Sequence, residues 1–497
     1  MNSFQRKSLY AALAGVGALG VTGAADAVNV NPGGLGQALI YPYYTVNSDA
    51  AGNTYNSLLS VVNTTNSAKS VKVRFLEGKN SREVLDFNLF LSKRDVWTAA
   101  ILPSASGGGK VITIDNSCTI PDNAFLKAGV DFVNFAYTGS ADDKGGSGLD
   151  RTKEGYVEII EMATYPTYTC TSIQVTHVGG VPFDCAGLSD AGALSDGVSA
   201  SGGLFGGISL INVGAGTDYT EDAVALQRFN NNNNYQNAGS VSPQLQDVSP
   251  KISVVFAAEP AFVGSTELGV YVSRWCDTDT LCLSEGRYNK ADPVSASLMH
   301  DAVMNEFVLD PGTKSGTDWV VTFPTKRFYV NTGTGSAPKL FQRNFNGTAG
   351  SCDDVTLAIF DREEKTTSTP VTFSPPSPTP TTSLCWEANI VTFNNSNLLA
   401  SKNVSNINTG FINGWLRLGF ATSTATSYHK LANSTATSEV FGASSFSTGL
   451  TKTYIGLPVV GFAVQSFSNG TLVVGGATIG QNYGGNFVQK TTTLIIN

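Results

Sequence analysis

Residues 71–92 read VKVRFLEGKNSREVLDFNLFLS, and this stretch decides the fold class. Val71, Val73 and Phe75 alternate with Lys72 and Arg74 at the period of two expected of a strand with one apolar side. Gly78-Lys79-Asn80-Ser81 supplies turn residues, after which Leu85, Phe87, Leu89 and Leu91 share a face opposite Asp86 and Asn88. The two segments together predict a β-hairpin of half-buried strands. Apolar runs of strand length continue on both sides of it, at 38–44, 57–62, 96–102, 111–114, 156–162 and 208–213. A second series follows at 252–257, 268–272, 319–323, 328–330, 355–360 and 388–393, and strands resume from 415 to the end of the chain. Helices are expected only at 220–229 and, flanked by Pro293 and Pro311, at 295–309. The fold class that emerges is all-β, with antiparallel β-sandwich modules, long loops and one or two short helices.

Arg6 and Lys7 precede an uncharged run at 8–25 and the small-residue pattern Ala25-Asp26-Ala27. That is the order of a secretory signal peptide, with cleavage expected after Ala27. A permanent span needs about 20 strongly apolar residues, and Gly15, Gly17, Gly20 and Gly23 dilute this run. No integral membrane span is expected after cleavage. The remainder exceeds one ordinary core and divides into 28–248 and 249–497, the second carrying a Pro/Ser/Thr-rich loop at 366–383. Only 14% of residues are charged and the net charge is -8, without Lys/Arg clusters. This argues against a nucleic-acid partner or an anionic membrane surface. The polyasparagine run at 230–234 reads as a solvated loop.

Seven cysteines in an exported chain predict disulfides. Spacing pairs Cys276 with Cys282 and Cys352 with Cys385; Cys118, Cys170 and Cys185 then supply one further pair and one odd thiol, expected to be a buried bystander. His177, His300 and His429 stand far apart, with no metal-ligand spacing among them. Gly145-Gly146-Ser147-Gly148-Leu149 lacks the final glycine of a nucleophile elbow, and Gly107-Gly108-Gly109-Lys110 lacks the spacing of a phosphate loop. Glu158 and Glu161, three apart on a strand, face opposite sides and cannot act as a glycosidase pair. Asp277, Asp279, Asp353 and Asp354 crowd cysteine-bounded loops where oxygen ligands could hold calcium, the one cofactor the sequence allows, although no calcium-loop motif is present. Asp361, Glu363 and Glu364 crowd a turn in the same way. Tyr41, Tyr43 and Tyr44 with Trp97, Trp319, Trp386 and Trp415 could stack on sugars, while core packing accounts for them equally well.

Five strings, GLGQALIYPYYTV at 34–46, the opening stretch with DVWTAAI at 95–101, GYVEIIEMA at 155–163, TDWVVTFPTKRFYV at 317–330 and LCWEANIVTF at 384–393, together resemble a family of secreted or cell-surface β-rich proteins of Gram-negative bacteria. The resemblance implies export and a surface or extracellular location, and supplies no catalytic residues. The expectation is an exported, non-enzymatic structural or adhesive protein whose partners are itself or other surface components. The rival expectation is an extracellular protein that binds or degrades carbohydrate.

Overall fold

The computed structural model describes residues 27–258, 268–275, 289–331, 340–366, 382–420, 428–433, 438–441, 446–450, 452–474 and 477–496. Residues 1–26 of the expected signal peptide 1–27, the expected pair Cys276 and Cys282 with Asp277 and Asp279 between them, and residues 367–381 lie outside the described residues.

The opening hairpin is present. Ala68–Glu77 pairs antiparallel with Glu83–Leu91, placing Val73 opposite Phe87 and Phe75 opposite Leu85. It joins a seven-stranded sheet ordered Asn29–Val30, Val224–Gln227, Ala38–Thr45, Glu154–Tyr165, Ala68–Glu77, Glu83–Leu91, Thr119–Ile120. A six-stranded sheet faces it, ordered Thr217–Asp222, Leu204–Asn212, Asn56–Asn63, Val96–Pro103, Gly109–Ile112, Val130–Asp131. Leu59, Val61, Trp97 and Ile101 from the second sheet pack on Val71, Val73, Phe75, Val157 and Ile159 from the first. Trp97 meets Phe87 edge to face at 5.8 Å, a geometry worth about 1 kcal/mol beyond the area it buries. At Gly206 a Cβ would come within 2.2 Å of the Tyr41 hydroxyl. Only glycine leaves room there for that hydroxyl to donate to Ser60 O at 2.7 Å.

The strands of this sheet are not half-buried as their alternation predicts. Ala38–Thr45, Ala68–Glu77 and Glu154–Tyr165 are buried along their whole length. The second face, carrying Ile40, Leu76, Tyr156 and Ile160, packs on Val294, Leu298 and Val460. Lys72 and Arg74 therefore sit inside the molecule, where Lys72 meets Asp86 at 3.0 Å and Arg74 meets both Glu158 and Glu83. Charged residues at the polar positions of the repeat mark a paired, covered face.

Two five-stranded sheets build the C-terminal half. One is ordered Thr382–Leu384, Asp353–Asp361, Asn413–Gly419, Ala302–Val308, Lys490–Thr492; the other Val404–Ile407, Ala388–Phe393, Gly316–Thr322, Phe462–Val474, Ala477–Val488. Their core centres on Trp319, Phe307, Phe393, Phe323 and Phe420. Val320, Ile390, Phe462 and Val464 belong instead to the cluster inside the first sandwich, so one apolar cluster draws on both halves.

Three local expectations are corrected. The helix expected at 295–309 is confined to Asp292–Ser297, and Ala302–Val308 is a strand. Pairing on both edges, with Asn413–Gly419 and with Lys490–Thr492, while Val303 and Phe307 enter the core, outweighs helix propensity. Residues 220–229 form no helix; Thr217–Asp222 and Val224–Gln227 are strands that bury Tyr219 and Ala225. Residues 328–330 are helical within Arg327–Val330, because the turn after Pro324 brings Tyr329 under Asp292–Ser297, where its hydroxyl donates to Asp292 Oδ1 at 2.7 Å. The polyasparagine run is only partly solvated: Asn231 and Asn232 are exposed, whereas Asn230 is buried and its N–H donates to Gln37 Oε1. Among the described residues no helix is long and apolar enough to cross a membrane, which says nothing of crossing by strands.

Candidate functional site

The expected aromatic platform does not assemble. Tyr41, Tyr43, Tyr44, Trp97 and Trp319 are completely buried, and the Tyr43 hydroxyl donates to Glu154 Oε2 at 2.7 Å. Trp386 lies under the Lys79 ammonium at 5.5 Å. Trp415 alone of this set is substantially open, at 41% exposure, and stacks on Phe360 with centroids 4.7 Å apart. Cross-strand pairing sets Phe360, Trp415 and Glu306 in one row on the outside of their sheet.

The carboxylates divide in the same way. Glu158 is held by Arg74, and Glu161 by Lys69 at 2.6 Å, in separate ion pairs on opposite faces of their strand. Asp361, Glu363 and Glu364 form an exposed turn in which Asp361 Oδ1 accepts the N–H groups of Glu363 and Lys365. Asp354 accepts from the Ser383 hydroxyl and the Gln342 amide. Among the described residues no group of three or more His, Cys, Asp and Glu is placed to hold a metal ion.

Asp353 is the exception, and sequence spacing does not reveal its surroundings. It is completely buried, with the Lys326 ammonium 2.8 Å from Oδ2 and His429 Nε2 3.1 Å from Oδ1. Its neighbour in the loop, Cys352, is bonded to Cys385. Burial alone would raise the Asp353 carboxyl, but Lys326 and His429 hold it below its usual range. His429 Nδ1 lies 2.6 Å from Phe420 O, which can only accept, so Nδ1 carries a proton. Glu387 completes the group: burial pushes its carboxyl up to about 8, with the Lys326 charge opposing. Lys326, Glu387 and His429 are the residues that sequence reasoning missed. Their one sequence signal is a charge set in an aromatic or apolar run, as in FPTKRF and CWEANIV.

Burial also pushes Asp292 up to about 7 and Asp318 to about 6. Asp292, Asp318 and Glu387 thus ionise later in the folded than in the unfolded chain. The stability they contribute is complete below the ordinary carboxylate range and is lost as pH rises through about 6 to 8. Asp143 and Asp353, held low, act only at more acid pH, and His300, lowered by burial to about 4, opposes the trend only below its ordinary value of 6.5. The urea midpoint is therefore expected to be higher at about pH 5.5 than at about pH 8, with Asp292→Asn narrowing the difference. Equal midpoints would contradict the buried carboxyls.

The disulfide expected between Cys352 and Cys385 is present, and the further pair is Cys118 with Cys185. The odd thiol among the three, expected to be buried, is Cys170, which is free and exposed at the first turn of the short helix Cys170–Val175. Two disulfides are compatible with an oxidising environment.

Ala477–Val488 is the last strand of its sheet, bonded along one side to Phe462–Val474. Tyr483, Phe487 and Val488 stand exposed on it. Asn482 and Asn486 anchor it by side-chain hydrogen bonds to Ala215 O and Glu221. A scan against protein-family models gives no match, and neither the curated proteins nor the solved structures contain a chain that matches this one.

Proposed function

We propose that the protein is an exported, non-enzymatic structural or adhesive component of the cell surface or extracellular space that associates with itself. The observation that carries this reading is the C-terminal part of Ala477–Val488, the last strand of its sheet: Thr217–Asp222 lies against it at Gly484, and Tyr483, Phe487 and Val488 remain exposed. A long edge with exposed apolar side chains is a template for pairing with another chain. The signal-peptide pattern, the low charge content and the two disulfides support a working place outside the cytoplasm.

Fractionation of the producing cells, followed by electron microscopy of the fraction that holds the protein, is expected to find it in filaments or sheets. Phe487→Lys, which sets a charge on the edge, is expected to shift the sedimentation profile of the purified protein from assemblies to monomer. A native protein that stays monomeric at high concentration and is free in the medium would overturn the proposal. Attention would then move to the Phe360 and Trp415 row and to glycan arrays, the test of the carbohydrate reading.

A further inference from the structure

Among the described residues two lysine–carboxylate pairs are completely buried, and they differ in one respect. In the first, Lys69 and Glu161, the carboxylate is fully engaged. Its Oε1 accepts from Lys69, the Thr164 hydroxyl and Ser201 N–H, and its Oε2 from Gly202 N–H. In the second, Asp353 Oδ1 accepts from Gln342 N–H at 2.7 Å and faces His429, but Oδ2 has no partner in hydrogen-bonding geometry. The Lys326 ammonium nevertheless stands 2.8 Å from Oδ2. Its directed hydrogen bonds go to the carbonyls of Ser351 and Leu384. The amine thus stands in contact with the carboxyl group.

The surroundings are dry and aromatic. The Phe323 and Phe341 rings each lie 5.4 Å from Nζ, and both side chains of the pair have no exposed surface. With water excluded, each ion is held by protein groups alone, Nζ by the carbonyls of Ser351 and Leu384 and Oδ1 by Gln342 N–H and His429. A second buried carboxyl, Glu387, lies near enough to feel the Lys326 charge, and its Oε2 has no hydrogen-bond partner. The disulfide Cys352–Cys385 clamps the strands that carry Asp353 and Leu384, and these two residues are paired opposite each other. Asp353 is therefore held in place by covalent and ladder bonds, and Lys326 by its hydrogen bonds to carbonyls beside that clamp.

We infer that Lys326 and Asp353 become joined by an isopeptide bond between Nζ and Cγ. A proton passes from Nζ to Oδ2, giving a neutral amine and a neutral acid. The nitrogen lone pair forms the bond to Cγ, and His429, 3.1 Å from Oδ1, carries protons to and from the tetrahedral intermediate. One Cγ–O bond then breaks, and that oxygen leaves as water with the two protons the nitrogen has lost. An ammonium and a carboxylate become an amide and one water, with no change of oxidation state. Exclusion of water from the site opposes hydrolysis of the product. Lys326 and Asp353 are 27 positions apart in the chain, so the product closes a second covalent loop beside that of Cys352 and Cys385.

The test is a peptide map of the secreted, reduced protein by mass spectrometry. The expected result is a branched peptide containing Lys326 and Asp353, lighter than its two parts by one water and uncleaved by trypsin after Lys326. Lys326→Arg, which keeps the charge, is expected to abolish that loss completely and to return Asp353 in a linear peptide. Recovery of both residues in separate linear peptides from the folded wild-type protein would overturn the inference. So would persistence of the water loss in Lys326→Arg. Neither outcome depends on whether the protein self-associates.

Discussion

Lys69→Met is expected to lower the free energy of unfolding by about 3–5 kcal/mol in equilibrium urea titrations, the usual consequence of removing one partner from a buried ion pair. Lys69 and Glu161 have no exposed surface, so the variant strands a carboxylate that water cannot reach. The damage spreads through Ser201 and Gly202, whose N–H groups Glu161 holds just before the Leu204–Asn212 strand begins. Lys69→Met combined with Glu161→Leu removes both charges and is expected to recover most of the loss, because the penalty belongs to the unpaired ion. A single variant within about 1 kcal/mol of the parent chain would show that water reaches Glu161 and would remove the argument.

Replacing Cys118 and Cys185 together by Ala is the second large effect. The bridge closes a loop of sequence separation 67, and loop-closure entropy then predicts a loss of about 4 kcal/mol. Within that loop lie the short strand Val130–Asp131, the whole of Glu154–Tyr165 and the surface helix Cys170–Val175. Removing the bridge frees the segment around Cys185 from the edge of the seven-stranded sheet at Thr119–Ile120. Thermal unfolding under oxidising conditions is the measurement. A double variant that unfolds at the temperature of the parent would show that the segment is held by packing alone, through the cluster of Phe90, Tyr165, Val175 and Ala193.

The hairpin at Ala68–Glu77 and Glu83–Leu91 was legible because alternation and turn chemistry are local. The Cys352 and Cys385 pair was legible because a short separation with a proline-rich insert favours closure. The fate of Lys72 and Arg74 was not, since solvent-facing and paired charges leave the same period of two, and only the arrival of Val294, Leu298 and Val460 from far along the chain distinguishes them. The strand at Ala302–Val308 was missed for the same reason: its helix-compatible residues are decided by neighbours at both edges. Lys326, Asp353, Glu387 and His429 come from four separate segments, and no spacing rule connects them.

The double covering of the seven-stranded sheet dictates an order of events as the chain is made. Leu226 completes its pairing with Ala38 early in synthesis, but Val460, which seals the outer face, emerges more than two hundred residues later. At a synthesis rate of ~5–20 residues per second, that interval is on the order of tens of seconds. During it the outer face with Ile40, Leu76 and Tyr156 gains its cover stepwise, from Leu245 and Val248 and then from Val294 and Leu298. The cover of this face is therefore complete only once the last hundred residues have been made.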